Sequence, residues 1–372
     1  GTVLVYRDRI VPRSEAHFLR RLYLGFEQLM PHWVGCRIDD GLAALGTDPL
    51  ILGGGGMRGG FDRMLFKQFG ILPNKTDLAA LRPRIIHAHF GRGGALALPI
   101  ARQLGIPLVV TYHGGDATKD KHYRRRLLPT IYQRRLDSLK REAAAIICVS
   151  DFIRTCLLDR GFPAGKLKVI RYGIEMMADE AESPMAEPYA LFVGRFVEKK
   201  GITHLLDAMR RLRAQGRMLP LVLIGDGPLS DPLKAAAADL GDIRFLGWQD
   251  QAAVRGWMRG ALALCVPSVT ARAGDAEGLP NVVLEAMAAA TPVIGARSAG
   301  IGEAIDDQVT GLLVPPADPA ALAAALARLI DDPAARSAMA QAARRRAIEN
   351  FSAIAQSRLL EATLLSFLAP DR

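Results

Sequence analysis

Two carboxylates set eight residues apart are the first candidates for chemistry: Glu277 and Glu285, in Glu277-Gly278-Leu279-Pro280-Asn281-Val282-Val283-Leu284-Glu285. Glu285 is the only charged residue between Leu279 and Thr291. A carboxylate in so apolar a run costs free energy unless it is partnered. Pro280 suits the first turn of a helix. Glu277 then lies just before that helix and Glu285 about a turn and a half inside it. The amides near Gly278, Leu279 and Asn281 make an anion site at the helix start. The order is carboxylate, anion nest, carboxylate, and each carboxylate can take paired hydroxyls such as those of a ribose or a sugar. The competing reading makes Glu285 a core acid paired with an arginine.

A second group is Gly194-Arg195-Phe196-Val197-Glu198-Lys199-Lys200-Gly201, directly after an apolar run. Arg195 and Lys200 fall at a strand's carboxyl end and at the next helix start, where diphosphates bind in wound sheets. Arginine offers a planar fork and lysine a point charge. The alternative is a solvated loop. His113, in Thr111-Tyr112-His113-Gly114-Gly115-Asp116, is a hydrogen-bonding group at another strand end; His87 and His89 are weaker signals of the same kind. No third metal ligand follows His87 and His89, and there is no Asp-x-Asp triplet. Diphosphate charge would therefore fall to Arg195, Lys200 and the helix end, with no metal and no cofactor expected.

Two further features carry weaker readings. Residues 54–59 match a dinucleotide fingerprint formally, with Asp77 near the right distance, but so glycine-rich a stretch fits any flexible loop. Residues 119–141 carry a net charge of +7 with Tyr123, Leu127, Leu128, Ile131 and Tyr132 interleaved. Such a segment suits an anionic bilayer surface, or a helix packed on its sheet with a solvated arginine face.

The elements that must position these residues read as repeated strand–helix alternation. Residues 2–6 are strand-like, and Pro12 and Ser14 open an expected helix carrying Phe18, Leu19, Leu22, Tyr23, Phe26 and Leu29, with Ser14 as N-cap. Strands are expected at 85–86, 107–112 and 145–149, with a helix at 95–104. After the acidic stretch 175–188 the pattern restarts: strands at 189–193, 219–224, 261–267 and 292–295, and helices at 202–215, 232–240 and 280–290. Two helices are expected in 317–347 and a last one over 352–368. Two doubly wound α/β domains with parallel sheets account for this most simply, with ligands at the carboxyl ends of the strands.

Size and charge agree with that plan. The chain has 372 residues and a formal net charge of +10, enough length for two domains. Half the residues are hydrophobic and only 6% aromatic, which excludes a disordered chain and a disulfide scaffold. Cys36, Cys148, Cys156 and Cys265 form no CxxC pair, and a reducing cytoplasm is the expected setting. No run approaches the roughly 18 apolar residues of a membrane span. The charge is lopsided, +11 over residues 1–180 and −1 over 181–372. The first half is therefore expected to meet something anionic, simple solubility being the alternative.

Taken in order, Gly194-Arg195 with Lys200-Gly201, Gly225-Asp-Gly-Pro228, Phe245-Leu-Gly247, Pro267-Ser268, Glu277-x7-Glu285 and Gly311-Leu-Leu-Val314 resemble the retaining glycosyltransferases of family 4. The first half, with Pro12-Arg-Ser-Glu15, His87-Ala-His-Phe-Gly91 and Tyr112-His-Gly-Gly-Asp-Ala117, is similar to bacterial enzymes of exopolysaccharide synthesis, the colanic-acid type among them. The resemblance implies a GT-B fold: an acceptor-binding Rossmann-like domain (1–174), a linker (175–188), a nucleotide-sugar-binding domain (189–351) and a return helix (352–372) crossing back to the first domain. A central cleft would separate the two domains. It implies that Arg195 and Lys200 hold the donor diphosphate, with Gly194 and Pro280 beside it, and that Glu277 grips the donor sugar. Gly278, Leu279 and Asn281 would contribute at the helix end, and Glu285 would take the ribose. His113 would line the sugar, and Gly227 and Trp248 would lie near the base. Ser14 and Glu15 occupy the first loop, which is glycine-rich in many relatives and is not here; Asp116 joins them as an acceptor-side candidate. A UDP-sugar is expected as donor, GDP-mannose next, with a lipid-linked saccharide or glycan as acceptor and the inner membrane face as a possible location. The rivals are a non-catalytic nucleotide-sugar-binding subunit, a nucleotide-sugar epimerase, a dehydrogenase using residues 54–59, and a nucleic-acid-binding protein; no stacking aromatics accompany the basic half, which argues against the last.

Overall fold

The computed structural model describes residues 1–12, 18–124, 127–176 and 182–368. Its contacts divide the chain into two units, Gly1–Gly173 with the chain from Ala353 onward, and Ile174–Ser352.

Unit 1 contains β1 (Thr2–Tyr6), β2 (Arg9–Ile10), β3 (Met30–Gly35), β4 (Arg37–Ile38), β5 (Leu50–Ile51), β6 (Pro83–His89), β7 (Leu108–Tyr112), β8 (Ala145–Cys148) and β9 (Leu167–Val169). Seven of them form one parallel sheet in the order β5-β3-β1-β6-β7-β8-β9, and β2 pairs with β4. Strands buried on both faces need continuous apolar runs, and β7 and β8 are buried at every position. The sheet winds outward in both directions from the β1–β6 pair. That pair is the switch point, where wound sheets bind ligands.

Unit 2 contains β10 (Tyr189–Val193), β11 (Leu221–Ile224), β12 (Ile243–Gly247), β13 (Ala261–Val266), β14 (Val293–Ala296) and β15 (Leu312–Val314). Their order is β12-β11-β10-β13-β14-β15, all parallel. Counted within the unit this is 3-2-1-4-5-6, the dinucleotide-fold order, with its switch point between β10 and β13. Helices Ile202–Ala214 and Pro319–Asp331 pack over one face through Leu205, Leu212, Leu322 and Leu326. Two Asp-Pro pairs divide the Ala- and Arg-rich region into two helices. Asp318 and Asp332 cap the amides of Ala321 and Ala335 at 2.9 Å, and Pro319 and Pro333 sit in the first turns.

Pro12 and Phe18 are helical, as expected, but the helix does not continue to Leu29. Residues 13–17, including Ser14 and Glu15, lie outside the described residues. Beyond Phe18 a 3-10 turn forms, Arg20–Tyr23, and the chain then enters β3, a strand the pattern did not reveal. Packing overrides the periodicity here. Gly25 lies against helix Ala353–Leu365, where a Cβ would come within 2.8 Å of the Ile354 carbonyl, so the chain turns away at that point. The glycine-rich residues 54–59 do follow a strand and open a helix, Gly56–Phe69. That strand is β5, at the sheet's edge and away from the switch point, which removes the dinucleotide reading.

Helix Ala353–Leu365 belongs to unit 1. Ser357 accepts the Gly25 amide and donates to the Leu22 carbonyl, both at 2.9 Å. The buried Glu361 carboxylate accepts the amides of Glu27, Gln28 and Leu29 at 2.7–3.0 Å.

Candidate functional site

The switch point of unit 2 brings together three loops far apart in sequence. After β10 the chain runs through Gly194 and Arg195 into a 3-10 turn, Glu198–Lys200. After β13 it runs through Pro267 and Ser268 toward Asp275 and Glu277. After β11 it makes the turn Gly225–Pro228. Glycine allows the loops to meet backbone to backbone. A Cβ at Gly201 (φ +64°) would sit 2.0 Å from the Pro267 carbonyl, and one at Gly225 (φ +135°) 2.0 Å from the Gly194 carbonyl. The Val269 amide bonds the Lys199 carbonyl at 2.8 Å, and the Arg272 amide bonds Glu198 Oε1 at 3.0 Å. The two cations and two acids therefore stand on a fixed frame.

Lys200 Nζ lies 3.0 Å from Glu277 Oε1, and Lys199 Nζ lies 3.8 Å from the same oxygen and 3.3 Å from Asp275 Oδ1. The Lys200 and Glu277 side chains are only 14% and 10% exposed. Among the described residues, neither Glu277 Oε1 nor the Ser268 hydroxyl, both buried, has a well-aligned hydrogen bond. Two buried polar atoms without a hydrogen bond, beside two ammonium groups, mark this cluster as a candidate place for a polar guest. Arg195 is exposed on the same loop, with no side-chain partner among the described residues.

The helix after Glu277 starts one residue later than the sequence suggests. Pro280 is its cap, with extended geometry, and Asn281–Ala288 is the helix. Its first-turn amides thus begin at Asn281, and Gly278 and Leu279 are buried backbone leading into it. Glu285 is half-buried on this helix. The Gly227 amide is already held by Asp226 at 2.7 Å and Ser230 at 3.0 Å, while Trp248 is 72% exposed just past β12. Lys199 and Asp275 were not singled out by sequence reasoning, and Ser268 entered only within the Pro267-Ser268 motif, without a role. The doubled lysine and the Pro-Ser pair were the available signals, and neither reveals a partner some seventy residues away.

In unit 1 the switch point holds His87 and His89 at the end of β6 and His113 just past β7. Phe90, between them, adopts φ +66° and ψ 145°, a strained conformation for a bulky residue. The Arg7 guanidinium lies 4.3 Å from the centre of its ring. All three histidines are buried. Both ring nitrogens of His113 are engaged inside the unit, Nε2 with His89 Nδ1 at 3.1 Å and Nδ1 with the Tyr172 hydroxyl at 2.5 Å. Asp116 accepts the amides of His113, Gly114 and Gly91 at 2.8–3.1 Å. It thereby ties the strand end that carries His113 to the helix start at Gly91. Burial raises its carboxyl above the usual range against the pull of those bonds.

Desolvation pushes His87 down to about 3 and His89 and His113 well below the ordinary imidazole value, with Arg7 adding to the effect on the latter two. An unfolded histidine titrates near 6.5. Since the folded values are depressed, the stability that rests on neutral rings is complete above about pH 6.5 and is lost as pH falls below it. Unit 1 is expected to become less resistant to urea between pH 7 and pH 5, by about 1.4 kcal/mol per pH unit for each such group at the steepest. An unchanged urea midpoint over that range would contradict this.

The basic segment 119–141 is not one amphipathic surface. It contains a 3-10 turn, Asp120–His122, and a helix, Ile131–Glu142, begun by a capping box at Thr130 and Gln133. Tyr132 bonds Tyr112 at 3.0 Å and Tyr123 at 3.2 Å, which turns both segment tyrosines inward. Arg135 reaches the carbonyls of Ala95 and Lys67. Leu127 and Leu128 remain almost fully exposed. Among the described residues no three His, Cys, Asp or Glu side chains converge as a metal site, and no helix is long and apolar enough to cross a membrane.

Comparison with known proteins places these features in a group. The model for glycosyl transferases group 1 matches residues 174–346, and that for glycosyltransferase family 4 matches residues 52–176. The chain is 34% identical over 272 residues to the amylovoran biosynthesis glycosyltransferase AmsK of Erwinia amylovora, covering 70% of this chain and 63% of that protein. It is 31% identical over 288 residues to the colanic acid biosynthesis glycosyltransferase WcaL of Salmonella typhimurium, covering 74% and 69%. Among solved structures, Anabaena HepE in complex with UDP and glucose superposes with a TM-score of 0.78 at 19% identity, covering 98% of this chain and 99% of that one. Sucrose-phosphate synthase from Thermosynechococcus elongatus superposes at 0.75 with 22% identity, covering 98% of each. At these identities the structural likeness is one of fold.

Proposed function

This chain belongs to glycosyltransferase family 4, with two parallel-sheet α/β domains of the GT-B kind, and on that premise we propose that it is a retaining, metal-independent hexosyltransferase. It would move a sugar from a nucleotide donor, UDP-linked first and GDP-mannose next, to a lipid-linked saccharide or glycan of the cell envelope. The observation that carries this is the Lys199, Lys200 and Glu277 cluster at the β10–β13 switch point, next to the start of helix Asn281–Ala288. A diphosphate supplies the anion the ammonium groups and helix start can hold, and Glu277 Oε1 is the acceptor a sugar hydroxyl needs. The relatives named for amylovoran and colanic acid synthesis support the glycan class, and the HepE complex with UDP and glucose supports the nucleotide.

The chemistry follows from charge. The bond between the anomeric carbon and the phosphate oxygen breaks with its electron pair going to the diphosphate. Preorganised cations where that charge grows are typically the largest catalytic contribution, and Arg195, Lys200 and the helix start supply them in this reading. The acceptor oxygen bonds the anomeric carbon on the face the phosphate leaves. Its proton passes to the departing phosphate oxygen, so configuration is kept and no separate base is needed. Glu277→Gln is expected to abolish transfer while UDP still raises the melting temperature by mass action. Loss of the UDP shift with transfer retained would reverse the assignment. UDP binding without any donor hydrolysis by the unsubstituted chain would favour a binding subunit instead, and activity that disappears in EDTA would overturn metal independence.

The acceptor side of the proposal rests on unit 1. Helix Gly56–Phe69 carries Met57, Phe61 and Met64 on one exposed stripe, Met57 at 95% exposure. Arg58 lies beside that stripe, and the exposed Leu127 and Leu128 are accompanied by Arg124. Apolar side chains flanked by arginine suit an anionic bilayer, where a lipid-linked acceptor would be found at the inner membrane face. Co-sedimentation with phosphatidylcholine vesicles should increase as phosphatidylglycerol is added and fall for the pair Met57→Ser and Phe61→Ser. Binding indifferent to lipid charge would remove the membrane part of the reading.

A further inference from the structure

The two lysines at the switch point of unit 2 are not held alike. The Lys199 ammonium donates to Asp275 Oδ1 at 3.3 Å and lies 3.8 Å from Glu277 Oε1, so both carboxylates are within its reach. Lys200 Nζ is closer to Glu277, at 3.0 Å, but Glu277 Oε1 takes no aligned hydrogen bond from it. Lys200 meets Glu277 as a charge, whereas Lys199 has a directed hydrogen bond to Asp275.

The backbone repeats the difference. The Lys199 carbonyl accepts the Val269 amide at 2.8 Å, and Glu198 beside it accepts the Arg272 amide at 3.0 Å. The loop clamped in this way closes on itself. The Asp275 carbonyl accepts the Ala271 amide at 2.9 Å, and the Ala271 carbonyl accepts the Gly274 amide at 2.8 Å, with Gly274 at φ +74°. Lys199 and Asp275 are therefore fixed to each other through main chain and side chain. The Lys200 amide bonds the Val197 carbonyl within its own turn, at 3.0 Å. Its ammonium lies beside the Gly194-Arg195 turn as well as beside Glu277. A Cβ on Gly194 would come 3.4 Å from Lys200 Cε and 3.6 Å from Nζ.

An anion arriving at that turn draws on the nearest cation, and a buried acid that loses its cation is costly. Lysine carries a point charge and three N–H donors on a flexible stem. Lys200 can therefore turn from Glu277 to the anion, while Lys199 has donors enough for both carboxylates. We propose that Lys199 is a positioning residue: pinned by Asp275, it remains the counter-ion of Glu277 when Lys200 turns to the donor diphosphate. Lys199 acts through Glu277 and does not itself touch the donor. Glu277 keeps its place for the sugar while Lys200 meets the departing phosphate. This hand-over rests on the reading of the cluster as the donor site.

The test is calorimetric titration with UDP, or with GDP should that bind instead. Either has the diphosphate and no donor sugar to touch Glu277. Four full-length proteins are compared: unsubstituted, Lys199→Gln, Glu277→Gln and the double variant. Glutamine can still donate to Asp275 but carries no charge. Lys199→Gln should raise the Kd at least ten-fold, because Lys200 must then serve both the diphosphate and Glu277. Glu277→Gln alone should change it less than three-fold, and the double variant should return to within three-fold of the unsubstituted protein. Such non-additivity marks groups that act through one another. Equal effects of Glu277→Gln in both backgrounds would make Lys199 only one more positive charge near the anion and overturn the hand-over. A weakening that Glu277→Gln does not relieve would make Lys199 a direct phosphate ligand, with the same consequence, and an unchanged Kd in Lys199→Gln also rejects it. Lys199→Arg, which keeps the charge, should bind within three-fold of the unsubstituted protein; a loss as large as that of Lys199→Gln rejects the role. Ligand-free Lys199→Gln should melt close to the unsubstituted protein, because Lys200 still neutralises Glu277, and a chain that fails to fold makes Lys199 structural. Failure of both UDP and GDP to bind the unsubstituted protein would sink the donor-site reading and the hand-over together, whereas binding without the coupling removes the hand-over alone.

Discussion

Lys200→Ala is expected to lower turnover by about 10²–10³-fold, the usual consequence of losing one preorganised donor at a developing negative charge. The binding of UDP itself should weaken less, because Arg195 and the amides from Asn281 onward stay in place. Two effects have to be separated. Lys200 and Glu277 form a pair that is almost wholly buried, at 3.0 Å, and removing one partner of such a pair can cost about 3–5 kcal/mol. Lys199 remains 3.8 Å from the same Glu277 oxygen, so the loss should fall at or below the lower end. The clean comparison is Lys200→Met with and without Glu277→Gln. The double substitution removes the stranded carboxylate and should recover most of the melting temperature while leaving turnover lost. Near-normal turnover by Lys200→Met alone, measured at a temperature where it stays folded, would mean that Lys200 is structural.

The second large effect is expected at Glu361, far from any candidate chemistry. Its carboxylate collects three successive amides, those of Glu27, Gln28 and Leu29, in the manner of an anion held by a backbone nest. Glu361→Ala leaves all three without their acceptor. A hydrogen bond to a charged group contributes about 1.5–3 kcal/mol, and a stranded buried amide costs about 1–3. Water can reach the exposed Glu27 and Gln28 but not the buried Leu29, so a net loss of about 3–5 kcal/mol is expected for unit 1 in urea unfolding. Glu361→Gln should fall between, having one acceptor oxygen left. The nearby Arg358–Glu27 pair is a control. It is equally short at 2.7 Å, but its side chains are 61% and 68% exposed, and exposed pairs contribute about 0–1 kcal/mol. Arg358→Ala matching Glu361→Ala would show that the helix is held by surface charge and not by the buried carboxylate.

Much of this protein could be read from its amino acids alone. The apolar runs that became β1, β7, β8, β10, β11 and β13 were visible because buried parallel strands need little besides apolar residues. The two helices expected within 317–347 formed, Pro319–Asp331 and Pro333–Asn350. Gly194-Arg195, Lys200-Gly201 and Glu277-x7-Glu285 were legible as candidate sites because a glycine turn or a lone acid in an apolar helix conflicts with local preference. Conflict of that kind signals function. Where local pattern and packing disagreed, the sequence misled. The apolar spacing from Phe18 to Leu29 reads as helix, yet the chain gives a single turn and then β3 because helix Ala353–Leu365 occupies the adjoining space.

What the tertiary structure alone decided are the partners. Lys200 meets Glu277, Asp116 meets the amide of Gly91, and Glu361 meets three amides more than 330 residues away. Periodicity and propensity describe a residue's neighbours along the chain and carry no record of which strand ends a wound sheet brings together. The buried run of hydrogen bonds Thr111–His87–Tyr23–His89–His113–Tyr172 in unit 1 is the extreme case. Each of its residues is an ordinary histidine, tyrosine or threonine in sequence, and only the wound sheet brings them within hydrogen-bond distance of one another.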